Sequence, residues 1–394
     1  AEGAVDRETQ DALEALGYTR TEGLVLPAEL ADPKDRIAEF ETLRTARSLI
    51  DDHSLKEAKS VLAGLLAASP DNMDAMLALA HVQVELGESE DARSVYERAL
   101  EVHPNHPHAV GAMVRLLMDE GDYDHAERLL LEALAATEGF VDLQLALGRL
   151  YQETGRTEQA EARYRTALDT DPSLTAAILG LAGCLSLRGD RGAAIEVLNR
   201  ATEDYPHDPE IVDQLALEYS DLGDLERAID LFRRLVVLEP ENSSAWNNLA
   251  ALLARRNRYP EAAEAARRAH DLEPQTSEIR ANLGTMLVLA GRLEEGLRHL
   301  DAALPNLPED TFGASLRAEA LEYLGRTDEA LTAWMEIAPR DPRAGVQVAR
   351  LQLERHDREA ARVALEDAID RGGEPIRTLA DSYGELRGLA SEIP

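Results

Sequence analysis

Apolar residues recur at three- and four-residue spacing along most of the chain, in runs of a dozen or so separated by short polar breaks. The clearest example is 243–276, SSAWNNLAALLARRNRYPEAAEAARRAHDLEPQT. Two apolar-periodic segments, 245–255 and 260–272, flank the polar break Arg256-Asn257-Arg258. That spacing predicts two amphipathic helices with one face each turned inward. Pro260 suits the first turn of the second helix, where a missing N–H costs nothing. Glu273-Pro274 ends that helix, because the residue before a proline is pushed out of the helical region.

The pattern repeats every 34 residues. Steps of 34 from Pro274 reach Pro240, Pro206, Pro172, Glu138, Pro104 and Pro70 backwards, and Pro308 and Pro342 forwards. All but Glu138 are proline in a chain with 17 prolines, so the period is not chance. Twelve residues before each step stands a small residue: Ala58, Ala92, Ala126, Ala160, Ala194, Ala228, Ala262, Gly296 and Ala330. Units therefore start at 39, 73, 107, 141, 175, 209, 243, 277 and 311. Gly87, Gly121, Gly155, Gly189, Gly223, Gly291 and Gly325 mark the turn inside their units, where a positive φ ends the first helix; His53 and Asn257 replace glycine there. The third unit has Thr137-Glu138-Gly139 instead of a proline joint, a softer connection. Only 31 residues separate Gly325 from His356, and Ala330 from Ala361. The missing three are expected to shorten the first helix of a tenth unit by about one turn. Gly372-Gly373 is expected to break the chain, and 375–389 to form a terminal helix.

A helix–turn–helix unit of this period, with Trp246, Leu249, Ala262 and Pro274 at these offsets, resembles the tetratricopeptide repeat (TPR) family over roughly 39–375. The resemblance implies an all-α, right-handed superhelical solenoid of about ten helix-turn-helix repeats. Residues 1–38 are then a lead-in helix and linker, 39–375 the solenoid, and 376–394 a C-terminal capping helix with a polar outer face. Trp246, at the family's fourth position, is expected to pack in the core.

Composition narrows the partners. There are 75 acidic against 41 basic residues, net charge −34, which opposes binding to nucleic acid or anionic membranes. The single cysteine, Cys184, excludes an internal disulfide and leaves the compartment open. No stretch approaches the ~20 apolar residues of a membrane span, and no signal peptide is present. The chain starts at Ala1 rather than methionine, which reads as a processed product or a fragment.

The lead-in carries a second resemblance. Residues 6–16 (DRETQDALEAL) read as a short helix with Asp6 as N-cap and Gly17 as the stop. Ala15-Leu16-Gly17-Tyr18, a linker, then Asp32-Pro33-Lys34-Asp35-Arg36-Ile37 ahead of the repeats is similar to the C-terminal end of bacterial sulfatase-like hydrolases that carry a TPR tail. It implies a docking or substrate-presenting tail and a periplasmic or extracellular home. Those hydrolases use Cys-x-Pro-x-Arg or a serine version; here Cys184-Leu185-Ser186-Leu187-Arg188 has serine where proline is required, and Cys184 reads as a small core residue. His103, His106 and His108 cluster at one joint, but His103-x-x-His106 offers two nitrogens where metal sites need three or four ligands. No catalytic residue, metal or cofactor is expected.

In the TPR family the second, fifth, ninth and twelfth residues of each first helix line the concave face. The ninth position reads Arg47, His81, Arg115 and Arg149 in the first four repeats, then Gly183, Leu217, Ala251, Thr285 and Glu319. A basic ladder in a strongly acidic chain suits the carboxylates of an acidic peptide or an anionic glycan, unless neighbours such as Asp74 and Asp142 pair with it. Weaker candidates are Asn248 and Asn282, at the sixth position of repeats seven and eight, which resemble the carboxylate clamp of chaperone-binding TPRs, with Arg255 nearby as the basic partner. The expected function is a non-catalytic interaction scaffold. The alternative is a head-to-tail filament or homo-oligomer, since the two ends of a solenoid differ and end-to-end contacts propagate.

Overall fold

The structure, a computed structural model, describes residues 33–136 and 140–393. The candidate helix 6–16, the Leu16-Gly17-Tyr18 junction and the Thr137-Glu138-Gly139 joint lie outside the described residues. Among the described residues there are 21 α-helices and no strand. The chain divides into two compact units, 1–146 and 147–394.

The first unit holds α1 (Pro33–Asp51), α2 (Leu55–Ala68), α3 (Met73–Glu85), α4 (Ser89–Val102), α5 (Pro107–Asp119), α6 (Tyr123–Ala136) and the start of α7 (Val141–Glu153). The second continues from within α7 through α8 (Thr157–Thr170), α9 (Thr175–Leu187), α10 (Arg191–Asp204), α11 (Pro209–Leu222), α12 (Leu225–Leu238), α13 (Ser243–Arg255), α14 (Tyr259–Leu272), α15 (Ser277–Leu289), α16 (Leu293–Ala303), α17 (Thr311–Tyr323), α18 (Thr327–Ile337), α19 (Pro342–Glu354), α20 (Arg358–Ser382) and α21 (Gly384–Ala390). Odd-numbered helices from α1 to α19 are the first helices of their repeats, and even-numbered ones the second.

The expected punctuation holds. The turn glycines have φ between 72° and 86°, and His53 (56°), Asn257 (58°) and His356 (64°) adopt the same left-handed geometry. Side chains just before the first helices cap them: Asn72 accepts from the Ala75 N–H at 3.0 Å, Asn242 from Ala245 at 2.9 Å, and Asp310 from Gly313 at 2.8 Å. Each such cap contributes about 1 kcal/mol.

Two positions of the second helix carry the packing. Position 20, the small residue of the repeat, is fully buried from Ala58 to Ala361. Position 24 reads Leu62, Tyr96, Leu130, Tyr164, Leu198, Phe232, Ala266, Leu300, Trp334 and Leu365, and every one is buried. The large residue sits where the small ones let the helices approach. In the second unit the Tyr164 ring lies 2.8 Å from where a Cβ on Gly148 would stand, and closer still at Gly180.

Three expectations meet the structure, and the first and third are corrected. The three-residue deletion does not shorten a first helix: α19 has its full 13 residues, and α18 has 11 where most second helices have 14. The joint proline, three residues before each first helix, is therefore Pro339. Pro342, which the 34-residue step reaches, is the first residue of α19. The tenth repeat thus starts at 342. Second, the break expected at Gly372-Gly373 is present. Gly373 leaves helical geometry (φ 61°, ψ −149°) and divides α20 into two helical segments, the later one ending at Ser382. Beyond the kink Ile376, Ala380, Leu386, Leu389 and Ile393 are buried against Val346, Ala361 and Leu365 of the last repeat. Third, Trp246 is half-buried, and its indole N–H donates to the Pro240 carbonyl at 3.0 Å, tying α13 to the joint before it.

Gly180→Ala is expected to lower stability by about 1–3 kcal/mol, because the added methyl meets the Tyr164 ring. Gly192→Ala, on a helix with open space around it, is expected to be neutral or to stabilise by up to about 1 kcal/mol. Urea unfolding of the two variants checks both signs.

Candidate functional site

In the first unit positions 5, 9 and 12 of repeat two and positions 2 and 9 of repeat three line a cavity of 210 Å³. Leu77, Val84, Ala112 and Leu116 form apolar walls; His81, His108, Arg115 and Asp119 add polar groups; and the Tyr96 ring reaches it from α4. This is below the usual size of a small-molecule pocket and suits one large side chain.

The ladder residues are exposed. His81 pairs with Glu85, one turn on, at 3.3 Å. Among the described residues Arg47, Arg115 and Arg149 have no hydrogen bond or ion pair, so neither Asp74 nor Asp142 pairs with them. Elsewhere arginines join neighbouring repeats, as in Arg233–Glu261 at 2.9 Å, Arg256–Glu226 at 2.7 Å and Arg267–Glu295 at 2.8 Å. Arg115 is close enough to Tyr96 to act on it: burial raises the phenol above its ordinary value, and the guanidinium pulls it back. Arg149, in the second unit, bears likewise on Tyr164, whose phenol is pushed up to about 12, mainly by burial.

The corrected register adds a residue that the sequence reading missed. Arg350 is position 9 of the tenth repeat. It is half-buried, bonds Glu322, and reaches Glu354 at 2.8 Å and Gln347 at 2.9 Å. Counting from Pro339 instead of Pro342 would have found it.

The weaker candidates are engaged within the second unit. Asn282 donates to the Asn247 side chain at 2.9 Å, and Arg255 reaches back to Ser220 at 3.4 Å. Asn248 is half-buried on α13. The thiol of Cys184 is fully buried in α9 and pushed up to about 11, mainly by burial, so it stays protonated and is a poor nucleophile. His106 caps α5, its Nδ1 accepting from the Ala109 N–H at 3.4 Å. Burial, then the charges of His108 and His103, lower its pKa. Among the described residues no three His, Cys, Asp or Glu side chains stand together to hold a metal ion, and no helix is long and apolar enough to cross a membrane.

Residues 135–336, just over half of the chain, match the family model of the cilia and flagella-associated protein 70 C-terminal domain, a TPR domain, and residues 49–116 match a tetratricopeptide repeat model. The chain belongs to the tetratricopeptide repeat family. No curated protein matches the sequence. Solved structures similar to this TPR chain include a tetratricopeptide repeat protein from Parabacteroides merdae, 17% identical over 64% of this chain and 98% of that one, TM-score 0.44. YrrB, described as a TPR protein with an unusual peptide-binding site, is 22% identical over 48% and 99%, TM-score 0.40. The Cut9–Hcn1 hetero-tetramer of the APC/C is 17% identical over 81% and 64%, TM-score 0.43. TPR repeats are in general non-catalytic and serve protein interaction.

Tyr164 and Tyr96 occupy the same position of their repeats, but only Tyr164 has a partner: its hydroxyl donates to Gln152 at 2.9 Å. Tyr164→Phe is expected to cost about 1 kcal/mol of stability, and Tyr96→Phe to stay within about 0.5 kcal/mol of the parent. Thermal unfolding followed by circular dichroism separates them.

Proposed function

We propose that this TPR chain is a non-catalytic scaffold that holds an acidic segment of a partner protein along the face bearing Arg47, His81 and Arg115, with Arg149 offering the same charge in the second unit. The observation that carries the reading is Arg115. It lines a cavity, and among the described residues it makes no hydrogen bond or ion pair, in a chain with 75 acidic residues. Association would be steered by charge and weakened by salt. A peptide with an anionic stretch suits this face better than a glycan, because apolar walls accompany the cations.

Self-assembly by end-to-end contacts has less support, since the apolar face of the last repeat is covered by residues 376–393 of the same chain. The hydrolase-tail reading rests on the sequence junction at 15–37 alone.

Charge reversal tests the proposal. Arg115→Glu is expected to weaken binding of a labelled hexaglutamate peptide about tenfold or more at low salt, with Arg149→Glu as a second, separate variant. Unchanged affinity in both removes the ladder as the binding element. Light scattering at rising protein concentration reports on self-assembly in the same samples.

A further inference from the structure

A hydrogen-bond donor at position 24 and an arginine at position 9 of the next repeat occur together at two places among the described residues, and only one of them has an acceptor at position 12. In the second unit, position 24 of repeat nine is Trp334, position 12 is Glu322, and position 9 of repeat ten is Arg350. Trp334 Nε1–H donates to one Glu322 oxygen at 2.6 Å, and Arg350 donates to the other. One carboxylate thus bridges a buried aromatic donor and the arginine of the next repeat. In the first unit, position 24 of repeat two is Tyr96 and position 9 of repeat three is Arg115. Donor and arginine are both present, but position 12 is Val84, which accepts nothing.

Tyr96 is 4% exposed, and among the described residues its hydroxyl has no hydrogen-bond partner. Its oxygen is not among the sealed, unsatisfied atoms of the interior, and its ring lines the cavity that Val84 and Arg115 also line. Repeat four supplies the control: Tyr164 finds Gln152 at position 12, and the ninth position of the next repeat is Gly183. Where the arginine is absent the acceptor is neutral, and where it is present in the second unit the acceptor is a carboxylate.

We propose that the cavity of repeats two and three is a socket for one glutamate side chain of a bound protein segment, whose carboxylate takes the place that Glu322 fills in repeat nine. It would accept from the Tyr96 hydroxyl and the Arg115 guanidinium, with its methylenes against Leu77, Val84 and Leu116. This rests on the proposed groove function and names the residue type that anchors there. A hydrogen bond to a charged group is stronger than one between neutral groups, so a carboxylate is preferred at the solvent-accessible Tyr96 hydroxyl.

The test uses the full chain and labelled hexaglutamate, read by fluorescence anisotropy at low salt, with Tyr96→Phe, Val84→Glu and Arg115→Ala. Tyr96→Phe is expected to weaken binding about tenfold by removing the donor. Val84→Glu is expected to weaken it at least as much by supplying the carboxylate from within, while the thermal midpoint holds or rises. The loss in Tyr96→Phe, which changes no charge, supports the socket when folding is kept, and a held or raised thermal midpoint in Val84→Glu supports the internal carboxylate taking its place. If Arg115→Ala weakens binding while Tyr96→Phe and Val84→Glu, both folded, leave it unchanged, the socket is overturned and the groove reading stands. If the parent chain does not bind hexaglutamate, both fall.

Discussion

Close approach between neighbouring helices is the constraint on which everything else rests. Alanine or glycine at position 20 removes the side-chain bulk that would hold the helices apart, and the larger residue at position 24 fills the space beside them. Repeat eight shows the limit. Gly284 and Gly296 bring two backbones so near that a Cβ on Gly296 would stand 2.7 Å from the Gly284 carbonyl oxygen. Because each repeat buries its apolar face only against its neighbours, loss of one such contact is felt locally and passed on through adjacent interfaces. The surface ion pairs that join repeats add little by comparison, since most are solvent-exposed.

This architecture separates what must be constant from what is free to vary. Positions 20 and 24, the turn residue and the joint proline are dictated by geometry. Positions 9 and 12 are at least partly exposed in every repeat but the eighth, where Thr285 and Val288 are buried, so their chemistry changes from repeat to repeat with little effect on the seam. Arginine at position 9 is paired with Glu322 in one place and, among the described residues, makes no ion pair in another. Binding character is written in that second set, and the fold in the first.

Most of the fold was legible because a period of 34 residues is visible without any knowledge of contacts. The deletion was misplaced for a related reason: Pro342 falls on the arithmetic period, so the period alone could not say that Pro339 is the true joint. The start of α19 at Pro342, with its full 13 residues and Pro339 three residues ahead of it, located the loss. The break at Gly373 was legible as well, since a positive φ with an extended ψ is open to glycine and ends a helix. The ladder of ninth positions was readable from sequence. Its pairing was not, because whether an arginine meets a carboxylate depends on neighbours one repeat away. Tyr96 went unnoticed because an aromatic residue at position 24 reads as ordinary core; its meaning comes from the identity of position 12.

The buried state of Cys184 has a practical side. A chain whose only native thiol is sealed inside α9 and held protonated is silent toward maleimides and spin labels while folded. Any cysteine introduced on the exposed face of a first helix would then be the sole reactive handle on the molecule. Distances and solvent access along that face become measurable one position at a time, without first removing a residue from the core.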